Sequence, residues 1–199
     1  MWRVPWATGT TSSGHTDQIV EMLDVYPTLV ELAGLPQVAS CNGMDPDPST
    51  HCLHGRSYAS AFGVGSSPKR DFAIMQWPYA DYANPAAPAT RTPQLAQGTM
   101  AYAIRNRDYR YIVNMKYDAK KYVPIWTEQV SQQLYTCDLD STNPASLICD
   151  ETVNLAQPPG GPSASVKATM ATLHAQLKAA LHEGTVSLET DAAGMSISS

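Results

Sequence analysis

Four cysteines are the residues best placed to do chemistry. Cys41 and Cys52 enclose ten residues rich in Pro, Asp, Asn and Gly, and Cys137 and Cys149 enclose eleven that are again turn-rich. An even number, closely paired in turn-rich segments, points to two local disulfides and an oxidising compartment. Each small ring would contribute about 2–3 kcal/mol by restricting the unfolded chain. The rival is zinc, because Cys41, His51, Cys52 and His54 carry suitable donor atoms. His51 and Cys52 are adjacent, however, and the spacing matches no standard finger. Asp45 and Asp47 are spaced like calcium ligands, but Pro46 and Pro48 between and after them favour a turn. His174 and His182 flank a helical stripe and are expected to face solvent. No Ser/His/Asp set has a recognisable nucleophile elbow such as G-x-S-x-G.

These residues must be positioned by the elements around them. Ile19, Val20 and Leu23 read as a short buried strand leading into a helix. Asp24 is placed to cap that helix, and Pro27 sits in the first turn, where its missing N–H costs nothing. Leu29, Val30, Leu32 and Ala33 form the expected buried side. Gly34 can close the helix in the left-handed conformation, and Pro36 prevents continuation. A loop over 37–52 follows, then a turn at His54-Gly55-Arg56-Ser57 into a short helix. Asp71–Met75 reads as a strand, with an aromatic, proline-interrupted loop from Gln76 to about Gln97. Met100–Arg105 and Tyr109–Asn114 flank the turn residues Asn106-Arg107-Asp108 as an antiparallel hairpin. Arg105 and Arg110 lie on its strands, where structural pairing is the ordinary reading and ligand contact the rival. Gln133-Leu134-Tyr135 is a third strand. Pro162 and Ser163 open a final helix in which Val166, Met170, Leu173, Leu177 and Leu181 form one apolar stripe, closed by Gly184. Residues 1–15 are poorly patterned, and 185–199 read as a disordered tail.

Composition limits the function. The chain has 199 residues, 43% hydrophobic, with fifteen prolines and twelve glycines. That is enough for a real core with much loop. A formal charge of -5, with no Lys/Arg run longer than a pair, argues against a nucleic-acid surface. No apolar run approaches the ~18 residues needed to span a membrane. The opening Met-Trp-Arg-Val-Pro-Trp lacks the apolar run of a signal peptide, so a secretory, lysosomal or extracellular location rests on the cysteines.

Asp24-Val-Tyr-Pro-Thr-Leu-Val-Glu-Leu-Ala-Gly-Leu-Pro36 resembles the D-x-x-P-T-x-x-x-L-A-G-x-P segment of sulfatases, in the alkaline phosphatase superfamily. Four further segments follow in family order. The turn from Gly55 resembles G-x-S-L-x-x-L, with Tyr58 where leucine is usual. Gln76-Trp77-Pro78-Tyr79 stands where the family has Gln-Tyr-Pro-Arg. The hairpin resembles the M-x-Y-S-I-R-x-x-x-Y-R-Y signature of iduronate-2-sulfatase-like enzymes. Asn143-Pro144 and Glu151–Ala156 resemble the D-P-x-E-x-x-N-L-A ending, with an insertion bracketed by Cys137 and Cys149. The resemblance covers roughly residues 16–183.

It implies an α/β (α+β) chain: the edge αβ unit of a large sheet within 1–70, and a small antiparallel sheet packed by a helix within 71–184. It implies hydrolysis of sulfate esters, on a sulfated glycan, by a formylglycine made from a C-x-P-S-R cysteine beside a calcium ion. Neither that motif nor a G-D-H-G occurs here, so the isolated chain is expected to be inactive. Calcium and formylglycine belong to the longer parent that the resemblance implies. Gln76, Trp77 and Tyr79 are the implied substrate-facing residues, and Tyr79 in place of arginine weakens any uronate preference. The alternatives are a non-catalytic remnant that binds a glycan or partner, and part of a related phosphodiesterase.

Overall fold

The hairpin is the centre of the structure, and its alternation explains why. The computed structural model describes Val4 and residues 18–41, 52–65, 70–78, 99–118, 123–139 and 147–182. Strand β2 (Thr99–Arg105) and β3 (Tyr109–Asp118) pair antiparallel, with Met100 opposite Met115, Tyr102 opposite Val113 and Ile104 opposite Tyr111. Successive side chains on a strand point to opposite faces, so these six share one face, and all are buried. Asn106 closes the turn: its side-chain oxygen accepts hydrogen bonds from the N–H groups of Asp108 (3.0 Å) and Tyr109 (2.7 Å).

β1 (Ala73–Pro78) adds to β2, and β4 (Val123–Leu139) adds to β3, both antiparallel. The three-residue β5 (Leu147–Cys149) pairs with the end of β4, so the sheet runs in chain order. The expected third strand at Gln133–Tyr135 is thus part of the C-terminal half of a much longer one. Its N-terminal half follows β3 through two register shifts between Asn114 and Lys116, and Thr127 to Val130 are exposed.

α2 (Ala164–His182) covers the buried face. Met170, Leu173 and Leu177 are the innermost residues of its stripe, with Val166 and Leu181 packed at the two ends. Ser163 caps it, its hydroxyl accepting from Val166 N–H at 3.3 Å. Between β5 and α2, Asn154 ties the chain back to the sheet. Its side-chain oxygen accepts from Leu134 N–H (3.1 Å) and Ala156 N–H (3.0 Å).

The N-terminal unit departs from expectation. α1 (Val25–Leu32) forms, with Pro27 inside it and Gly34 at φ 66° closing it. Residues Met22–Asp24 are a 3-10 helix, not a strand, and only Ile19 makes a β-bridge, to Arg70. Val20 and Leu23 are 42% and 63% exposed. A strand needs a neighbour for its backbone groups, and among the described residues Ile19 finds only that single bridge. The buried side of α1 also differs: Pro27, Thr28, Val30 and Leu32 are inside, while Leu29 and Ala33 face out.

Both expected disulfides are present, Cys41–Cys52 and Cys137–Cys149, the second joining partners in the β4–β5 register. The four sulfurs are therefore not zinc ligands. Asp45, Asp47, His51, Asn143, Pro144, Gly184 and the segments 1–3, 5–15 and 185–199 lie outside the described residues.

Candidate functional site

Among the described residues, three groupings of polar side chains bear on function. The first was missed by sequence reasoning. Asp24 stands at the head of α1, but its side chain does not cap the helix. It is 1% exposed and turned toward Arg70, with Nε at 2.7 Å and Nη2 at 2.6 Å. It also accepts from the N–H groups of Arg56 (2.7 Å) and Glu21 (2.9 Å). Burial alone would raise its pKa, but these donors, Arg70 foremost, bring it below 3.8. Glu21 completes the group, 3.1 Å from Arg70, and its other oxygen accepts from Ile74 N–H at 2.7 Å. Gly55 lets the chain pass close: a Cβ there would lie 1.9 Å from the Leu23 carbonyl oxygen. Thr28 joins in, donating to the Asp24 carbonyl (2.6 Å) and accepting from Tyr58 N–H (3.0 Å). Every acceptor of Asp24 is filled, so this network holds the N-terminal unit together. A strand-derived Asp ahead of a Pro-Thr helix reads as a cap, and Arg70 is too far along the sequence to suggest otherwise.

The second place lies where α2 meets the sheet. His174 is half-buried, not facing solvent as its sequence position suggests. Its Nδ1 is 3.2 Å from the Tyr111 hydroxyl, which reaches Gln132 Oε1 at the same distance. The imidazole meets Trp126 edge-on at 5.3 Å between ring centres, and Lys178 lies 6.0 Å from the Trp126 ring centre. Burial, helped by Lys178, lowers the His174 pKa, while burial pushes the Tyr111 hydroxyl up to about 12. This is a core contact with a proton-sensitive member.

The third place is the sheet face away from α2. The expected aromatic loop begins as strand: Gln76, Trp77 and Pro78 are all in β1. Adjacent residues alternate, so Gln76 and Trp77 do not act together. Gln76 pairs with Tyr102 on the α2 side, and Trp77 pairs with Ala101 on the opposite side, where it is 58% exposed. Tyr79 lies outside the described residues. Arg105 and Arg110 are direct cross-strand partners on Trp77's face. With Met75, Ala103, Cys149 and Glu151 they line a cavity of about 420 Å³. Arg110 is paired with Glu151, their side chains 31% and 54% exposed. Arg105 is held by its surroundings, and burial plus the neighbouring charge of Arg110 lower its pKa. Farther along the same face, Asn114 donates to the Ser131 hydroxyl at 2.7 Å while its own buried Oδ1 has no partner among the described residues.

Among the described residues no group of three or more His, Cys, Asp or Glu could hold a metal ion. No helix among them is long and apolar enough to cross a membrane.

The architecture is α+β, a meandering antiparallel sheet with a C-terminal helix across one face. No family model matches the chain. It is similar to "Iduronate 2-sulfatase" of Mus musculus, 29% identical over 141 residues, taking in 63% of this chain and 24% of the mouse protein. The chain thus spans about a quarter of that relative's length. This distant similarity supports a sulfatase-like origin.

Proposed function

We propose that this chain is the C-terminal portion of a sulfatase-like sulfuric ester hydrolase that acts on sulfated glycans in a secretory, lysosomal or extracellular compartment. One observation carries the reading: the 29% identity to iduronate 2-sulfatase, at a length only 24% of that enzyme. The two disulfides support the compartment. On this reading residues 1–70 end a catalytic α/β domain and 71–184 form its C-terminal subdomain. The share of this chain is then substrate-side surface, with Trp77 offering an exposed ring on which a sugar can stack.

The formylglycine and calcium of a sulfatase do not fit the residues of this chain. All four cysteines are bonded in pairs, and none sits in a C-x-P-S-R motif. No chemical step is therefore assigned to it. Purified 199-residue protein, assayed with an aryl sulfate and calcium, should match the buffer blank. The native polypeptide, isolated through an antibody to α2 and sequenced by mass spectrometry, should carry a C-x-P-S-R peptide and hydrolyse the same substrate. A native polypeptide lacking that motif, or turnover by the short chain that survives repurification, would overturn the proposal.

A further inference from the structure

The Cys137–Cys149 pair has an asymmetry that a purely structural crosslink does not require. Leu134 faces the α2 core, so Cys137, three residues on, faces the other way, and Cys149 is its direct partner on β5. Cys137 is only 4% exposed. Cys149 is part-exposed and lines the cavity of about 420 Å³ together with Arg105, Arg110 and Glu151. Thiol–disulfide exchange needs access to the sulfur attacked, which Cys149 offers from the cavity and Cys137 does not. The charged and titratable groups beside it on this face are Arg105 on β2, Arg110 on β3, Tyr135 on β4 and Glu151. Asp150 turns instead to Thr152, and Asp108 meets Cys137 through its carbonyl. Two guanidinium groups thus border the cavity, against one carboxylate that is paired with Arg110. Part-exposed sulfurs in such electropositive surroundings are the reactive ones, because the thiolate is stabilised there. Opening the bond leaves β5 tied to β4 by Asp138–Ile148, Leu139–Leu147 and the Asp150 N–H to Thr136 carbonyl bond, so the hairpin core need not unfold.

We propose that Cys137–Cys149 is a redox-active pair that exchanges with small thiols bearing carboxylates, with Cys149 the sulfur attacked, Cys137 the resolving partner and Arg110 a positioning residue for the Cys149 thiolate. The inference does not depend on the sulfatase reading. A thiolate RS⁻ attacks Cys149 Sγ, an S–S bond forms to R, and the Cys137–Cys149 bond breaks. Cys137 leaves with the electron pair and takes a proton from water. A second RS⁻ attacks the R sulfur, releasing RSSR and the Cys149 thiolate beside the arginines. Two thiols are oxidised and the protein disulfide gains two electrons. In reverse, the Cys149 thiolate attacks RSSR and Cys137 resolves the mixed disulfide, expelling the second RS⁻. The arginines also draw the carboxylates of the small thiol toward the cavity.

The test incubates the folded 199-residue chain with reduced and oxidised glutathione, an anionic probe, or with cysteamine and cystamine, a cationic one. Samples are quenched in acid and mapped by mass spectrometry. Glutathione adducts should favour Cys149 over Cys137 by about tenfold or more, following access. At low salt glutathione should exchange faster per thiolate than cysteamine. Cys137→Ser should accumulate the Cys149 adduct, because nothing resolves it. In the reduced chain, alkylation of Cys149 by iodoacetamide should have its midpoint below about pH 7.5, against about 8.5 for an ordinary thiol. Arg110→Gln should raise that midpoint by about one unit, Arg110→Lys should restore it, and Glu151→Gln should lower it. A merely structural role gives no such opposed pair of shifts. Thermal melting checks that each variant is folded, and if Cys137→Ser is not, adduct position in the unaltered chain decides. Adducts shared equally by the two cysteines, exchange no faster than global unfolding, equal rates for the two probes, or equal midpoints in wild type and Arg110→Gln each overturn the proposal. None of these results bears on the C-x-P-S-R peptide by which the sulfatase reading is tested.

Discussion

Replacing Asp24 with alanine should cost the N-terminal unit more than any other single change in it. The carboxylate is 1% exposed and accepts four hydrogen bonds, two from Arg70 and one each from the N–H groups of Arg56 and Glu21. Removing one member of a buried pair strands the other charge, which costs about 3–5 kcal/mol. Glu21 remains 3.1 Å from Arg70 and retains part of its stabilisation. Two backbone N–H groups lose their acceptor in the same step, which offsets that retention at about 1 kcal/mol each. The expected loss is therefore about 3–4 kcal/mol by urea unfolding followed by circular dichroism. Hydrogen exchange at Val30 and Leu32 should accelerate in parallel, while the β2–β3 hairpin stays protected. The pH dependence has a definite sign. The folded pKa of Asp24 lies below its ordinary 3.8, so its contribution is fully present above that value and is lost as pH falls through the lower one. Wild type and variant should thus converge in strong acid. A loss under about 0.5 kcal/mol at neutral pH, the scale of an ordinary surface substitution, would refute the account of Asp24 as the centre of a buried network.

Two further changes probe the junction of α2 with the sheet. Leu177→Ala deletes a fully buried side chain under β2 and β3 and should destabilise by about 2–5 kcal/mol in the same urea assay. His174 is kept neutral by burial and by Lys178, with Tyr111, Gln132 and Trp126 facing it and no carboxylate among the causes of its shift. Its folded pKa is below 6.5, so its stabilising contribution is complete above that pH and falls away as pH drops through the folded value. Melting temperatures of wild type should accordingly decline between pH 7.5 and 5 more steeply than those of His174→Gln, and parallel curves would contradict this.

Periodicity made the helix and the hairpin legible from the residues alone. The α2 stripe from Val166 to Leu181 and the alternation of Met100, Tyr102 and Ile104 each follow a repeat that only one kind of element satisfies. β4 was legible only at Gln133–Tyr135, because its other half lacks alternation: Val123–Trp126 is an unbroken apolar run containing a proline, and Thr127–Val130 are exposed. Its extent is set by pairing with β3 across the register shifts, which is a tertiary fact. Ile19, Val20 and Leu23 misled for the converse reason: β-branched residues favour a strand, but a strand forms only where partners exist. Trp77 illustrates the limit at the site. The resemblance implied that it faces substrate together with Gln76, yet only the register with Ala101 shows that it shares a face with the arginines and not with Gln76. Asp24 was read from local chemistry as a cap, whereas its partner lies 46 positions away.

The tie made by Asn154 bears on solubility. Leu134 turns its N–H and C=O away from β3, and both are taken: Asn154 Oδ1 accepts the first, and Leu155 N–H donates to the second at 2.9 Å. Two residues on, the Thr136 carbonyl is likewise engaged by Asp150 N–H at 2.9 Å. An open strand edge is a template on which another chain can add itself. In this stretch of β4 the template has been used up by the chain's own return toward α2, so two molecules meeting here find no row of free backbone groups to share.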